Sequence, residues 1–413
     1  MKEPFDRDIL KAYLTLRYAP STRSIFSGES RKISARLLVP DEMKRSQGAS
    51  HGSQLSEQLV TVCKEIIRTC SSSGSGRICA VTSGGIDSGA IVGLMSSLDV
   101  NFEAVTMGFD GPNDEIADAE QLCDHFGVRL HKFISKSVLS STSEAVSKLG
   151  IPYRGVSFCF DLSRFIRSKG FDIVFDGLGV DEFFGGYGFR YERVLRMHSE
   201  GTDRLSAYLR GSNPLDFVEE TSELFGEKLS DIRVPWAKLF PCFDNDLPFL
   251  DQVFMADYNG KCVHNFFPLA DLYRMFELRP IYPWLSDRFI DFSLTVPTHL
   301  KFDPQTGNTK ILFRKAFERL LPTRTLTKKK QGFGPDLDAV WSRELRDATE
   351  ETVMDGYMVS EGYLNKEFFR KALRDPKPSP TEKTKCWEVY CLEKLLQARK
   401  HGGTSRIPSQ AQR

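Results

Sequence analysis

Residues 77–88 read Arg77-Ile-Cys-Ala-Val-Thr-Ser83-Gly84-Gly85-Ile-Asp87-Ser88. The first part, over 77–83, is a short apolar run that predicts a strand. Gly84-Gly85 ends it, and a helical pattern follows over about 87–97. A Ser/Gly breaker run at 71–76 marks where the strand begins. A strand, a glycine pair and a helix in that order make an anion cradle. Backbone N–H groups at the glycines can face a phosphate without Cβ interference. The helix N-terminus adds its partial positive charge. Ser83 and Ser88 can donate hydroxyls to phosphate oxygens, and Asp87 can hold Mg²⁺ bridged to those phosphates. An ordinary strand–turn–helix joint would use Gly-Gly for the turn and Asp87 as a cap. The register of Asp87 and Ser88 after the strand favours the cradle. No G-x-x-x-x-G-K-[ST] loop occurs, which counts against ordinary γ-phosphate transfer.

Working outward, apolar strands and helical segments alternate. Strands are expected over 102–109, 128–133 and 171–178. Helices are expected over 115–126, ended by Gly127, and over 163–169 after a Ser-rich helix or loop. This alternation predicts an α/β fold, a parallel sheet with flanking helices. From about 201 the pattern turns mainly helical, with candidates at 311–321, 337–354, 366–373 and 385–400. The organisation expected is an N-terminal extension and linker over 1–54, a nucleotide-binding core over 55–200, a mainly helical part over 201–400 that completes the site, and a loose tail over 401–413. Within the extension, Ile9, Leu10, Tyr13, Leu14 and Leu16 share a helix face, and 41–56 reads as a polar loop. A further helix is expected from Leu55 to Cys70.

A second glycine-rich loop follows the last of those strands: Asp176-Gly-Leu178-Gly-Val-Asp181-Glu182-Phe-Phe-Gly-Gly-Tyr187. Asp181 is placed to be a second carboxylate on the same metal ion as Asp87, because Mg²⁺ commonly takes one or two carboxylates plus phosphate oxygens. A Gly-rich turn with an acidic helix start is the plainer alternative.

Composition narrows the function classes. The 413 residues are 40% hydrophobic and 27% charged, a globular mix. Lys+Arg 56 against Asp+Glu 55 leaves +1, which gives no sign of a nucleic-acid partner. The nine cysteines include no C-x-x-C pair, so a zinc ribbon or dithiol motif is not expected. No apolar run is long enough for a membrane span, and no signal peptide is expected at Met1-Lys2; the expected location is cytoplasmic.

The two loops together resemble the synthetase domain of the asparagine synthetase family, a group of PP-loop ATP pyrophosphatases with an S-G-G-x-D-S loop and, later, an S-G-x-G-x-D-E-x-x-G-G-Y loop. Other segments agree in order. Thr106-Met107-Gly-Phe109 stands where the family has its adenine-facing strand end. Glu277-Leu-Arg279 with Pro283-Trp-Leu285 resembles E-x-R-x-P-F-L with two extra residues. Lys310-Ile-Leu-Phe-Arg314-Lys-Ala-Phe resembles K-x-x-L-R-x-A-F, and Lys329-Lys330-Gln-Gly332-Phe333 resembles R-x-K-x-G-F. The resemblance covers roughly 55–400 and extends to β-lactam and lasso-peptide synthetases. It implies a ligase that activates a carboxylate with ATP and Mg²⁺ as an acyl-adenylate, releases pyrophosphate, and delivers the acyl group to ammonia or an amine. By position, Ser83, Gly84, Gly85, Asp87 and Ser88 would hold the pyrophosphate. Val81, Met107, Asp176 and Gly177 would border the adenosine. Asp87 and Asp181 would hold Mg²⁺, and Lys330 would stabilise charge as bonds rearrange. The alternative for Lys330 is one of three solvated lysines at 328–330.

Several features depart from the family pattern. The family's N-terminal glutaminase is not expected in this chain: position 2 is Lys2 where its catalytic Cys would stand, so ammonia from a separate glutaminase subunit is one possibility. Leu178 replaces the Glu of S-G-E-G and can transfer no proton. Gly89 replaces a Ser, and Asp176 replaces the Ser that opens the second loop, so Asp176 is expected to face away or to bind the substrate amine. The resemblance therefore leaves open asparagine formation, a specialised amide-forming or cyclising synthetase, and a non-catalytic nucleotide-binding relative. A tRNA-modifying sulfur-transfer enzyme is disfavoured by the charge balance and the cysteine spacing. The identity of the acid and amine is not written in these motifs.

Overall fold

The computed structural model describes residues 4–31, 33, 35–44, 52–109, 115–328, 330 and 334–401. Its centre is a five-stranded sheet in the order β3-β2-β1-β4-β5: β1 Ile78–Val81, β2 Glu103–Phe109, β3 Leu130–Ser135, β4 Ile173–Phe175 and β5 Arg279–Ile281. Every pairing is parallel. The expected α/β architecture is therefore present. β1 is short and apolar because helices cover both faces of a parallel sheet. Successive residues point to opposite faces: Ile78 and Ala80 join one buried cluster, Cys79 the other, and Ile173 and Phe175 are likewise separated from Val174. One face is covered by residues 5–26 and by the C-terminal helix Pro380–Lys400. The other is covered by the helix Gly52–Ser72 and by residues from about 180 to 321.

Register decides where the site lies. Val81 pairs with Val105, Ala80 with Phe175, and Phe175 with Ile281. The C-terminal ends of β1 and β4 are thus neighbours. The chain leaves β1 toward β2 and β3 on one side and reaches β4 and β5 on the other. The loops after β1 and β4 meet at that reversal, the switch point where open α/β sheets hold ligands.

Several elements differ from the sequence expectation. β5 was not expected: it is three residues long and contains Pro280, which only an edge strand tolerates readily. β4 ends at Phe175 rather than 178, because the glycine-rich loop bends the chain away. β3 runs two residues later than expected. The polar stretch 41–56 is not one loop. It holds a short helix, Pro40–Lys44, and the start of the long helix at Gly52, whose buried face (Leu55, Leu59, Cys63, Ile66, Ile67) carries helical order back into polar sequence. The region 163–169 is the end of a longer helix, Val156–Ser168. The helix expected over 311–321 ends at Phe317. The region 337–354 stays helical but passes through widened π turns at Trp341–Leu345 and Thr349–Val353. The last helix starts at Pro380, ahead of Lys385, because Ser379 and Glu382 form a reciprocal capping box. All nine cysteines are free, and Cys70 and Cys159 alone are half-buried. Among the described residues no helix is long and apolar enough to cross a membrane.

Candidate functional site

The loop after β1 is braced by its own hydroxyls. Thr82 N donates to Val105 O at 2.9 Å, extending the sheet by one residue. Ser83 N donates to Ser88 Oγ at 3.2 Å, Gly84 N to Thr82 Oγ1 at 3.2 Å and Gly85 N to Ser83 Oγ at 3.4 Å. Thr82 Oγ1 and Ser88 Oγ are 3.1 Å apart. Gly84 has a left-handed φ of 69°, and a Cβ there would meet the Asp118 backbone at 2.4 Å, so only glycine fits. Gly85 precedes the helix Ile86–Ser97 and gives it no side-chain cap. Ser83, Gly84, Gly85, Asp87 and Ser88 therefore come together as the sequence predicts, around the N-terminus of that helix. Val81 is the last residue of β1, and Met107 is buried in β2.

The loop after β4 packs directly on the first. A Cβ on Gly177 would lie 2.9 Å from Ser88 N and 3.1 Å from Asp87 C, so the close approach requires glycine. Asp176 N donates to Ile281 O at 3.0 Å. Both Asp176 carboxylate oxygens are engaged within the protein: Oδ1 accepts from Leu178 N and Oδ2 from Tyr273 Oη, each at 3.1 Å. Burial raises the Asp176 carboxyl above its usual range, and the Tyr273 bond offsets part of the rise. Of the two expected roles for Asp176, facing away fits these contacts. Leu178 is half-buried. Next comes the short helix Val180–Phe184, with Asp181 in its first turn. Glu182 turns away and accepts from Tyr187 Oη at 2.8 Å; burial, then the neighbouring Asp181, push its carboxyl up to about 7.

Asp87 and Asp181 converge on one ammonium. Lys310 Nζ is 2.6 Å from both oxygens of Asp87 and 2.6 Å from Asp181 Oδ1. Lys330 Nζ is 2.6 Å from Asp181 Oδ2. The Lys310 side chain is 3% exposed. Burial works against the charge on Asp181, yet Lys310 and then Lys330 hold it well below the usual carboxylate range. Burial raises Asp87; Lys310 opposes the rise and Asp181 adds to it, leaving it above its ordinary value. Lys330 also resists burial, and Asp181 raises it above the ordinary lysine value.

The sequence reading gave Asp87, Asp181 and Lys330 roles at this site but assigned none to Lys310; the signal was its place at the head of the Lys310-Ile-Leu-Phe-Arg314 segment. In the structure Lys310 sits at the N-cap of the helix Ile311–Phe317, where a cation is disfavoured, and its φ of 54° is left-handed. The ion pairs hold it there. The alternative of three solvated lysines at 328–330 fails for Lys328. Its side chain is 12% exposed, and its ammonium lies 2.9 Å from Ser83 O, 3.2 Å from Glu115 Oε1 and 2.8 Å from Asp118 Oδ2. Lys329, Gly332 and Phe333 lie outside the described residues. The Pro283-Trp-Leu285 segment backs both loops: Trp284 Nε1 donates to Asp87 O at 3.1 Å, and Leu285 lies against Gly179. Glu277 and Arg279 do not reach the site. Arg279 opens β5 at the opposite end of the sheet, where it donates to Ser73 O at 2.6 Å, and Glu277 pairs with Arg167 at 3.3 Å.

The sheet order and the glycine-rich loops at its switch point define an α/β protein of the PP-loop type. The asparagine synthase family model matches residues 68–397, and the chain belongs to that family. A glutamine-hydrolysing asparagine synthetase of Bacillus subtilis (strain 168) is 22% identical over 338 residues, covering 71% of this chain and 51% of that protein. The chain thus spans about half the length of that relative. Among solved structures, a tRNA thiolase of Methanococcus maripaludis with its [4Fe-4S] cluster aligns with a TM-score of 0.27 and 16% identity, covering 61% of this chain and 85% of that one. An ammonia-dependent NAD synthetase of Campylobacter jejuni subsp. jejuni aligns with a TM-score of 0.23 and 22% identity, covering 35% of this chain and 63% of that one.

Two outcomes follow for stability. Lys310→Met leaves two buried carboxylates facing each other and is expected to cost about 3 kcal/mol, the scale for removing one partner of a buried ion pair. Adding Asp87→Asn should return part of that loss, measured as the thermal midpoints of the two variants. Gly177→Ala should also destabilise, by about 1–3 kcal/mol, because its Cβ meets backbone that cannot rotate away. An unchanged thermal midpoint for Gly177→Ala would mean that the two loops do not touch there.

Proposed function

We propose that this protein is an ATP-dependent amide-bond synthetase that forms AMP and pyrophosphate. It would activate a carboxylate as an acyl-adenylate for attack by ammonia or an amine. The observation that carries this reading is the meeting of Asp87 and Asp181, from the two glycine-rich loops, beside Lys310 and Lys330 at the C-terminal ends of β1 and β4.

In this reading the β- and γ-phosphates of ATP lie on Ser83, Gly84, Gly85 and Ser88 at the uncapped helix N-terminus. Val81, Met107, Asp176 and Gly177 border the adenosine, partly through main-chain groups. A substrate carboxylate oxygen attacks the α-phosphorus, and the bond to the β-phosphate oxygen breaks. Lys330, held beside Asp181, would balance charge on the α-phosphate as that happens. The amine nitrogen then attacks the acyl carbon, AMP leaves with the acyl-bond electrons, and the amine proton passes to solvent.

The donor set fits Mg²⁺ in a limited sense. Among the described residues no group of three or more His, Cys, Asp or Glu side chains could hold a metal. Asp87 and Asp181 are two facing carboxylates, the number a Mg²⁺ takes when phosphate oxygens and water supply the rest. When bound, Mg²⁺ would offset charge on the pyrophosphate. Leu178 supports a second version of the same chemistry. An apolar side chain beside the second loop offers no proton transfer, which suits a larger, partly apolar amine, or a cyclising substrate, better than ammonium.

The test is a pyrophosphate-release screen across carboxylic acids, with ammonia and with amines. Wild-type protein is expected to release pyrophosphate and AMP together with one acid–amine pair. Asp87→Asn and Asp181→Asn should stay folded and lose that activity. Lys330→Ala should lower kcat by ~10²–10³ with a smaller change in ATP affinity. Near wild-type turnover in either Asp variant would refute the assignment.

A further inference from the structure

We propose that Lys328 is a positioning residue that sets Lys330 and the Ser83-Gly84-Gly85 loop in register with each other. The first observation is its ring of partners. Its ammonium touches the Ser83 main-chain carbonyl, Glu115 and Asp118. Ser83 opens the phosphate cradle, and Gly84, the next residue, lies against the Asp118 backbone. One cation therefore joins the cradle to the start of the helix Ile116–Phe126.

The second observation is what Lys328 carries. It ends the short helix Thr323–Thr327 and leaves it in an extended conformation, with φ −53° and ψ 125°. That helix is held to the same acid, since Arg324 pairs with Asp118 at 2.8 Å. Lys328 and Lys330, two residues apart in sequence, both reach inward, Lys328 to the first loop and to Asp118 and Lys330 to Asp181 on the second loop. The two ammonium groups thus hold one loop each.

Burial makes the Lys328 end specific. Glu115 and Asp118 are largely buried beside it. Burial raises the Glu115 carboxyl and Lys328 pulls it back, while Asp118 is held below its ordinary value by Lys328 and Arg324 against the effect of burial. Without Lys328, Glu115 loses its ion pair at 3.2 Å, the Ser83 carbonyl loses its ammonium donor, and Lys330 keeps only its contact with the second loop. A loose ammonium at Lys330 costs turnover even when its own charge is intact.

The inference rests on the proposed function for its turnover readout, so the experiment has a second arm that does not. In the first arm, kcat for pyrophosphate release is measured for Lys328→Ala, Lys330→Ala, the double variant and Lys328→Arg, on the full chain. If Lys328 acts through Lys330, Lys328→Ala lowers kcat roughly tenfold in the wild-type background and less than about twofold in the Lys330→Ala background. Lys328→Arg, which keeps the charge, should recover to within about threefold of wild type. In the second arm, calorimetry measures binding of the α,β-methylene analogue of ATP with magnesium. Lys328→Ala and Glu115→Gln should each weaken it several-fold, and Lys328→Arg should not. If no acid–amine pair supports turnover, the proposed function fails and the binding arm alone decides the role of Lys328. Should Lys328→Ala fail to fold, Glu115→Gln and Lys328→Arg carry the same comparison. The proposal is overturned if Lys328→Ala costs as much in the Lys330→Ala background as in wild type, or if it changes neither kcat nor affinity.

Discussion

Two ionised carboxylates from different loops cannot be buried side by side without a cation between them. Asp87 and Asp181 share the ammonium of Lys310 at 2.6 Å, and the rest of the site follows from that requirement. An unpaired buried charge costs several kcal/mol, so the pair specifies its surroundings. β1 and β4 must be neighbours for the two loops to meet. Gly177 must lack a side chain for the loops to come close enough. The Lys310 backbone takes a left-handed conformation, which for a non-glycine residue costs on the order of 1–3 kcal/mol. Trp284, fully buried, fixes the Asp87 carbonyl from behind.

In the proposed function the same cluster suits the site to receive an anion. With Lys330 on the far oxygen of Asp181, two ammonium groups balance two carboxylates. A polyphosphate bound at the helix N-terminus, as proposed, would meet a locally neutral, pre-assembled set of charges rather than a bare pair of acids. Lys328 extends the arrangement outward: its partners are the Ser83 carbonyl and the acids Glu115 and Asp118. Lys328 and Lys330 thereby hold one loop each. Asp176, in contrast, is enclosed by Tyr273 and Leu178 N. It shapes the second loop from within.

The central half of the fold was legible because its elements obey local rules. The run at 77–83 is apolar between two breaker segments, the helix over 86–97 begins after Gly85, and the helix over 116–126 ends at Gly127. Elements set by distant partners were not legible. β5 has three residues and a proline, and it is a strand only because β4 offers it an edge. Residues 41–56 look like linker, yet their helices form against a core assembled elsewhere. The site divides the same way. Asp87, Asp181 and Lys330 stand in recognisable motifs. Lys310 is invisible to helix periodicity, because its value lies in two carboxylates that are distant in sequence. Lys328 looks like part of a solvated charge run until the first loop and the Ile116 helix close around it. Glu277 and Arg279 show the converse: they stand in a segment quoted for its family resemblance, yet they lie at the far end of the sheet.

The central claim is that the two loops form one nucleotide site around the Asp87–Lys310–Asp181 cluster. The most direct measurement is a crystal structure with the α,β-methylene analogue of ATP and magnesium. The account predicts the β- and γ-phosphates on Ser83 to Ser88 at the N-terminus of the Ile86–Ser97 helix, with the metal on Asp87 or Asp181 and the Lys310 ammonium beside the phosphates. A nucleotide bound away from these loops, or a metal held by neither carboxylate, would contradict it.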